Sequence, residues 1–325
     1  MNKPYFIKGI TNDPYFNIAS EEYLLKHTDG FYVYLWVNAP AVIVGVNQNT
    51  AEEVNLAYTE GNGINVVRRQ TGGGAIYHDL NNVCYTIIAE YDGSRDNYRY
   101  FTQGIISYLA TLGVRAEFSG RNDLTIDGKK FSGNAQCIYK NRVMHHGTLL
   151  FKTDPAVLEN ALKPNKLKIE SKGIKSVRAR VTNIFDHLNN KLTVDEFFEG
   201  LAGYFSADCL PYTFTKDDIT QIEKLKEEKY STFEWNIGSS PKATYTAEKK
   251  LACGVVKAGF DVVDGRLKNV NISGDFFSKK EISALYHALN GVLYQFDSLK
   301  YALADVGDYI VGSTADEIAS LFING

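Results

Sequence analysis

The chain has little of what marks secreted, membrane-embedded or zinc-binding proteins. Its four cysteines are spread over 325 residues and form no CxxC pair, so neither a disulfide framework nor a thiolate zinc site is indicated. The most apolar stretch, residues 41–46, is far shorter than the roughly 20 residues that a membrane helix needs. No apolar signal-peptide core is visible near the N-terminus. These absences predict a cytoplasmic protein with reduced thiols and no membrane association.

Several common active-site signatures are also missing. The sequence contains no GxxxxGK[ST], no GxGxxG, no GxSxG and no HExxH. Walker-type nucleotide binding, a Rossmann dinucleotide site, an α/β-hydrolase nucleophile elbow and a zincin site are therefore not indicated. A cysteine nucleophile stays open, because a nucleophile and its base need only meet in space.

Charge is unevenly distributed along the chain. The net charge is −3, which argues against a protein that coats nucleic acid through bulk charge. Residues 163–180, however, hold seven Lys/Arg and one acid, so this segment carries +6 and the rest of the chain −9. Such a basic segment suits a nucleotide, an acidic partner protein or RNA, and a solvated basic loop is the alternative.

Local patterns predict a chain of mixed helices and strands with a break near residues 238–241, GSSP. Residues 31–37 and 41–46 are β-rich and lie on either side of a three-residue connection, which predicts a hairpin. Asp127-Gly128 predicts a tight turn. N-cap patterns predict helix starts at Asp13, Thr193, Thr215 and Ser278.

The first candidate site is RRQTGGGAIYHD, residues 68–79. Three glycines let backbone N–H groups converge on an anion, and two arginines can donate paired hydrogen bonds to phosphate or carboxylate. The alternative is a glycine-rich connection with solvated arginines.

The second candidate site is DGKKFSGNA, residues 127–135. Strand side chains alternate, so at most one of Lys129 and Lys130 can point into a site, and a hairpin tip with two exposed lysines is the alternative. In the later segment HHGTLL, His145 and His146 face opposite sides of a strand. They cannot jointly bind one metal, and we expect one to be solvated and the other structural.

In combination, these segments resemble the lipoate–protein ligase A family of the biotin/lipoate ligase superfamily. The resemblance rests, in chain order, on DPYFNIASEEYLL, RRQTGGGAIYHD, SGRNDLTI, KKFSGNAQ, HHGTLLF, KGIKSVRARVTN and FEWNIGSSP. It implies an α/β (α+β) fold. A mixed-sheet catalytic domain related to class II synthetases is expected over residues 1–240, followed by a small α+β accessory domain over residues 246–325.

The resemblance also implies a reaction. The family joins lipoate to AMP, releases pyrophosphate and passes the acyl group to a lysine of a carrier domain. The residues expected at ATP are Arg69, Gly74, Ala75, Ile76, Tyr77, Lys130, Arg178 and Arg180. Those expected at lipoate are Lys130, Arg69, Gly72, Gly73, His78 and Val44, with Val42 and Tyr85 as further walls of an apolar slot. Residues 163–183 would form a loop that closes over the adenylate.

The expected chemistry places Lys130 at its centre. A fixed ammonium between the carboxylate and the triphosphate offsets the repulsion of two anions that must approach each other. Mg²⁺ would bridge the phosphates with few protein ligands, and Asp123 is the candidate ligand.

The expected acceptors are lipoyl-accepting carrier domains, namely the E2 subunits of 2-oxoacid dehydrogenases and the H protein of glycine cleavage. One rival activity is an octanoyl or lipoyl transferase that acts through a Cys137 acyl-enzyme. A biotin ligase is less favoured, because RRQTGGGA lacks the GRGRxGR-like run of that family. A carrier- or RNA-binding module without catalysis would leave the glycine and lysine segments without a role.

Overall fold

A computed structural model describes residues 3–91, 93, 98–162, 180–238, 245–263, 266–294 and 296–324. The strands are β1 (Tyr5–Lys8), β2 (Tyr32–Val37), β3 (Ala41–Val44), β4 (Asn65–Arg68), β5 (Ile76–His78), β6 (Asn82–Glu90), β7 (Ala116–Ser119), β8 (Asp123–Ile126), β9 (Lys129–Tyr139), β10 (Arg142–Leu150), β11 (Leu210–Tyr212), β12 (Tyr245–Leu251), β13 (Gly254–Val263) and β14 (Arg266–Gly274).

The helices are α1 (Pro14–His27), α2 (Thr50–Glu53), α3 (Leu56–Gly61), α4 (Tyr98–Thr111), α5 (Pro155–Ala161), α6 (Ile184–His187), α7 (Val194–Ser206), α8 (Lys216–Leu225), α9 (Ile282–Leu289), α10 (Phe296–Ala302), α11 (Val306–Tyr309) and α12 (Ala315–Asn324). Two π-helical turns, Lys226–Tyr230 and Glu234–Gly238, follow α8.

Eight strands form one large sheet in the order β11-β1-β2-β6-β10-β9-β8-β7. Strand β1 runs parallel to β2 and β11, and the other neighbouring strands pair antiparallel. The predicted mixed sheet is therefore confirmed.

Both faces of the large sheet are buried, and alternation along β6 shows how. Tyr85 points to the face covered by α4 and α7, where it joins Phe101 and Phe197. Its neighbour Cys84 points to the opposite face, which is covered by α1 and α8 and includes Leu24 and Ile222. Successive side chains of a strand point to opposite sides, so each face of this sheet has its own core.

A small sheet, β4-β3-β5, lies over the α1-covered face. Ile43 of β3 and Ile76 of β5 pack toward the large sheet. Val42 and Tyr77, which are paired across β3 and β5, pack on the other side, against Leu158 of α5. The glycine-rich segment connects β4 to β5, so this sheet holds the first candidate site.

The C-terminal region is an antiparallel sheet of β12, β13 and β14 with helices α9–α12. It has a hydrophobic core of its own, which includes Phe260, Phe276, Leu285 and Phe322. The predicted break at residues 238–241 falls, except for Gly238, among residues 239–244, which lie outside the described residues, so the domain boundary stays a prediction.

The predicted hairpin of residues 31–37 and 41–46 is wrong. Strand β2 pairs with β1 and β6 in the large sheet, whereas β3 pairs with β4 and β5 in the small one. Strand propensity identifies both strands but carries no information about which partner each will find. The connection at Asn38-Ala39-Pro40 therefore moves the chain from one sheet to the other.

Three of the four predicted helix starts and the predicted tight turn are confirmed, whereas the fourth helix start is wrong. Asp13, Thr193 and Thr215 cap α1, α7 and α8, the last two through capping boxes. Asp127 and Gly128 take φ of 51° and 74°, as a tight hairpin turn requires. Ser278 does not cap a helix, because α9 begins after Glu281 and the Ser278 hydroxyl accepts a hydrogen bond from Asn47.

Candidate active site

The glycine segment, residues 72–74, lies against the C-terminal region. Gly73 has φ of 93°, a left-handed conformation that favours glycine. Its N–H donates to the carbonyl oxygen of Phe276 at 3.1 Å. A Cβ at Gly72 would come within 2.2 Å of the same oxygen. In this arrangement one N–H that was expected to hold an anion is used by Phe276.

The Arg69 side chain holds the glycine segment in place through hydrogen bonds. The side chain is buried, and its guanidinium donates to the Thr71 hydroxyl (2.9 Å) and to the backbone oxygens of Ile43 (3.1 Å), Gly72 (2.7 Å) and Gly74 (2.9 Å). Burial lowers the pKa of Arg69 to about 10, so it remains a cation at neutral pH. The described contacts of Arg69 are internal, and its predicted contacts with ATP and lipoate stay predictions.

A chain of buried hydrogen bonds continues from Arg69 into the large sheet. The Thr71 hydroxyl lies 2.8 Å from His146 Nε2, and His146 Nδ1 lies 2.8 Å from Glu21 Oε1 on α1. Thr86 of β6 also donates to Glu21 Oε1. These contacts tie the glycine segment to α1 and to two strands of the large sheet, which fixes its position.

His78 has an unusual environment. It is 2% exposed, its Nδ1 lies 3.1 Å from Asn38 Nδ2, and its Nε2 has no hydrogen-bond partner among the described residues. Burial, followed by the charges of Arg69 and His146, lowers the pKa of His78 to about 3. The imidazole is therefore neutral at physiological pH.

Lys130 is more accessible to solvent than Arg69. Its Nζ lies 2.7 Å from Asp123 Oδ1, and both side chains are more than one-third exposed. The Lys130 oxygen accepts a hydrogen bond from Thr182 N at 2.9 Å, which joins β9 to the end of the predicted closing loop. A Cβ at Gly133 would lie 2.9 Å from Lys130 Nζ, so the absent side chain leaves room for the ammonium.

A cavity of about 230 Å³ lies beside Lys129. Its wall combines apolar and polar groups, which include Lys129, Leu150, Thr153, Leu158, Val181 and Asn183. Leu158 also packs against Tyr77, a predicted ATP contact. Lys129 and Lys130 have different neighbours, as strand alternation predicts.

Three predicted walls of the lipoate slot do not share a surface. Val44 and Val42 pack with Tyr77 on the α5 side of the small sheet, whereas Tyr85 packs with Phe101 beyond the large sheet. The apolar residues between the two sheets include Ile43 instead. The prediction that these three residues wall one slot is wrong, because it did not take account of which face each side chain occupies.

The prediction that one of the two adjacent histidines is solvated is also wrong. His145 is 0% exposed and His146 is 8% exposed, and they lie on opposite faces of β10. Burial lowers the pKa of His145 well below its usual value. Within the part of the chain that the structure describes, no group of three His, Cys, Asp or Glu residues is placed to hold a metal ion.

The predicted closing loop is described only at its end. Arg178 lies outside the described residues, and Arg180 is described and half-buried. Their contacts with ATP therefore stay predictions.

Cys137, the candidate nucleophile of the rival activity, packs beside the core between α1 and the large sheet. Burial raises the pKa of its thiol to about 12. A thiol with such a pKa is protonated at neutral pH and is a weak nucleophile.

Several site residues were missed in the sequence. Glu21, Asn38, Thr71 and Thr86 are polar yet 0–1% exposed, and none belongs to a recognised catalytic spacing. Glu21 offered one signal, because Ile18, Leu24 and Leu25 lie three or four residues away, share its helix face and are apolar.

Among the helices within the described ranges, none combines the length and apolar character that crossing a bilayer requires.

Comparison with known protein families gives two matches in succession. Residues 13–206 match the lipoyl protein ligase A/B catalytic domain, and residues 240–322 match the bacterial lipoate protein ligase C-terminus. The chain is 43% identical to lipoate–protein ligase 1 of Staphylococcus aureus over 91% of this chain and 92% of that protein. It is also 43% identical to lipoate-protein ligase LplJ of Bacillus subtilis, over 91% and 90% of the two chains.

Two solved structures share the fold. P. falciparum LipL1 in complex with lipoate superposes with a TM-score of 0.82 at 25% identity, over 99% of this chain and 100% of that one. A lipoate-protein ligase A bound with ATP gives a TM-score of 0.62 at 27% identity, over 73% and 98%. With both domain families matched in order, this chain belongs to the lipoate–protein ligase family of enzymes.

Proposed function

We propose that this protein is an ATP-dependent lipoate–protein ligase. It activates free lipoate to lipoyl-AMP with release of pyrophosphate, and it then transfers the lipoyl group to a lysine of a carrier domain. The observation that carries the proposal is the environment of Lys130. Its ammonium has one partly exposed carboxylate as partner, and its backbone oxygen binds the end of the predicted closing loop.

Lys130 stabilises the approach of two anions in the first step. The lipoate carboxylate attacks the α-phosphorus, the bond to pyrophosphate breaks, and negative charge grows on the oxygens between them. A fixed ammonium at this point favours the transition state over the separated anions. Exchange of the Asp123 partner for substrate oxygens costs little, because the ion pair is partly solvated.

The two substrates would approach the glycine segment from different sides of β5. The cavity near Lys129 and Leu158 has the mixture of apolar and polar wall groups that suits a purine base. It lies on the Tyr77 side of the strand. His78 presents its unpartnered nitrogen on the other side, where the acyl group would lie.

The donor set fits Mg²⁺ held mainly by substrate. Asp123 offers one carboxylate, and Mg²⁺ commonly binds one or two carboxylates together with phosphates and water. When bound, the ion would neutralise phosphate charge. Asp123→Asn should raise the Mg²⁺ concentration for half-maximal pyrophosphate release about tenfold. An unchanged Mg²⁺ dependence with a lower rate would instead assign Asp123 to orienting Lys130.

We propose as acceptors the E2 lipoyl domains of 2-oxoacid dehydrogenases and the H protein of glycine cleavage, and we propose that the reaction takes place in the cytoplasm. An archaeal ligase structure, from Thermoplasma acidophilum, is described together with its E2 lipoyl domain, at 29% identity and a TM-score of 0.65. That structure covers 75% of this chain and 100% of its own.

The deciding experiment is a pyrophosphate-release assay with lipoate, octanoate and biotin in parallel, each with and without an acceptor domain. We expect ATP-dependent release with lipoate and labelling of the acceptor. Acyl transfer without ATP, abolished by Cys137→Ser, would instead show the acyl-enzyme transferase. Release with biotin alone would contradict the lipoate assignment.

A further inference from the structure

Three buried polar side chains form a hydrogen-bonded line that leads from β2 through α1 to His78: Tyr34, Asn17 and Asn38. The Tyr34 hydroxyl donates to Asn17 Oδ1 at 2.9 Å, and Asn17 Nδ2 donates to Asn38 Oδ1 at 2.9 Å. Asn38 Nδ2 then donates to His78 Nδ1 at 3.1 Å. All four side chains are 0–2% exposed. We call this line the Asn17–Asn38 relay.

Backbone oxygens fix the direction of the relay. Asn17 Nδ2 also faces the carbonyl oxygens of Thr11 (3.1 Å) and Val37 (3.2 Å), which only accept. The amide of Asn17 must therefore point its nitrogen that way. Asn38 then turns its oxygen to Asn17 and its nitrogen to His78.

The same assignment of donors and acceptors fixes the tautomer of His78. A neutral imidazole has one donor and one acceptor nitrogen. Because Asn38 Nδ2 can only donate, Nδ1 of His78 is the acceptor and Nε2 carries the hydrogen. That Nε2–H is buried and has no partner among the described residues. Leaving such a donor unpaired is costly, so the site is built for an acceptor that arrives with a ligand.

We propose that Asn38 is a positioning residue, which locks His78 in the Nε2–H tautomer so that this hydrogen is donated to a carboxylate oxygen of the acyl substrate. The inference rests on the proposed function for the identity of that substrate. Arg69 and His146 are the charged or titratable neighbours whose charges act on His78, and Arg69 adds a positive field that favours an incoming anion. Cys84 Sγ lies 3.5 Å from Nδ1, which agrees with Nδ1 as the acceptor.

The tautomer can be observed directly. Two-bond ¹H–¹⁵N correlation spectra of the full-length ¹⁵N-labelled protein report which ring nitrogen carries hydrogen, and His78→Asn identifies its signals among the six histidines. We expect Nε2–H in the free protein and a shift of the Nε2 signal on addition of lipoate. An Nδ1–H tautomer, or an Nε2 signal that lipoate leaves unmoved, would overturn the inference.

Asn38→Asp tests the positioning role with almost the same shape. Both carboxylate oxygens only accept, so the contact with Nδ1 now requires a hydrogen there, and Nε2–H is no longer enforced. We expect KM for lipoate to rise about 10- to 100-fold, with KM for ATP unchanged. Asn38→Ala should give the same direction of change and serves if the aspartate variant folds poorly. Wild-type kinetics in a folded Asn38 variant would refute the role.

Asn12→Ala is the matched control. Asn12 is exposed and donates to the Val37 oxygen that Asn17 also faces, but it does not touch His78. Its kinetics and its His78 spectrum should be those of the wild type, and an equal KM effect would show a loop disturbance instead. If the wild type releases no pyrophosphate while lipoate still shifts the Nε2 signal, the proposed function fails and the positioning inference stands.

Discussion

Two cations that were predicted to serve the same ligands have opposite surroundings. Arg69, beneath the glycine segment, is 5% exposed and donates to a hydroxyl and three backbone oxygens of its own neighbourhood. Lys130, on the β8–β9 hairpin, is 37% exposed and has one carboxylate partner. The first cation is engaged in holding the protein together, and the second is available to substrate.

This difference distinguishes a cation that stabilises the fold from a cation that can bind a substrate. A buried guanidinium with several hydrogen bonds is costly to redirect, because each abandoned carbonyl would be left unpaired. A partly exposed ammonium exchanges its partner at little cost. The same family resemblance thus covers two residues for which we propose different roles, a mainly structural one for Arg69 and a catalytic one for Lys130.

The largest expected effect is at Lys130. Lys130→Ala should lower the rate of pyrophosphate release by about 100- to 1,000-fold, because the transition state loses its only assigned ammonium. The melting temperature should change little, since the ion pair that is lost is partly solvated. Near-normal adenylate formation by a folded K130A protein would remove the proposed mechanism.

Arg69→Ala should act mainly on stability. We expect a loss of about 3 kcal/mol in the free energy of unfolding, because buried oxygens lose their donors. Urea denaturation measures it. Arg142→Ala is the control, since this buried arginine also donates to backbone oxygens, those of Leu24 and Gly30, away from the glycine segment. If Arg69→Ala abolishes adenylation without loss of stability, Arg69 contacts substrate and the contrast with Lys130 breaks down.

The burial of His78 should make the free energy of unfolding depend on pH in the acid range. Its pKa is about 3 in the folded protein and ordinarily 6.5, so below pH 6.5 the unfolded chain binds the extra proton. The free energy of unfolding therefore falls as pH drops, by about 1.6 kcal/mol between pH 6.5 and 5 for this group. His78→Asn should remove that part of the pH dependence. A variant with the wild-type pH slope would show that His78 is solvated in the native state.

Lys129→Ala should have the smallest effect. Lys129 is exposed and lines the cavity beside β10, and it does not share the contacts of Lys130. We expect less than about a threefold change in kcat and a modest rise in KM for ATP at most. Steady-state kinetics beside K130A give the comparison. Equal damage from both variants would show that strand alternation does not separate their roles.

The sequence predicted much of the local structure and part of the site. Capping residues, the Asp127-Gly128 turn and the mixed strands and helices follow from short-range chemistry, and the structure confirms them. The partners of β2 and β3 could not be predicted, because any buried strand can pair with several others. Val44 and Tyr85 were placed on one surface for the same reason: their facing depends on strand register and layer order.

By itself, the sequence determined the family, through motifs whose order and spacing are read along the chain. Only the tertiary structure decided which polar groups form hydrogen bonds within the protein and which remain available to a ligand. Arg69 meets Ile43, and His78 meets Asn38, across wide gaps in sequence. Burial and hydrogen-bond saturation arise from such distant atoms coming together, and local spacing does not encode them.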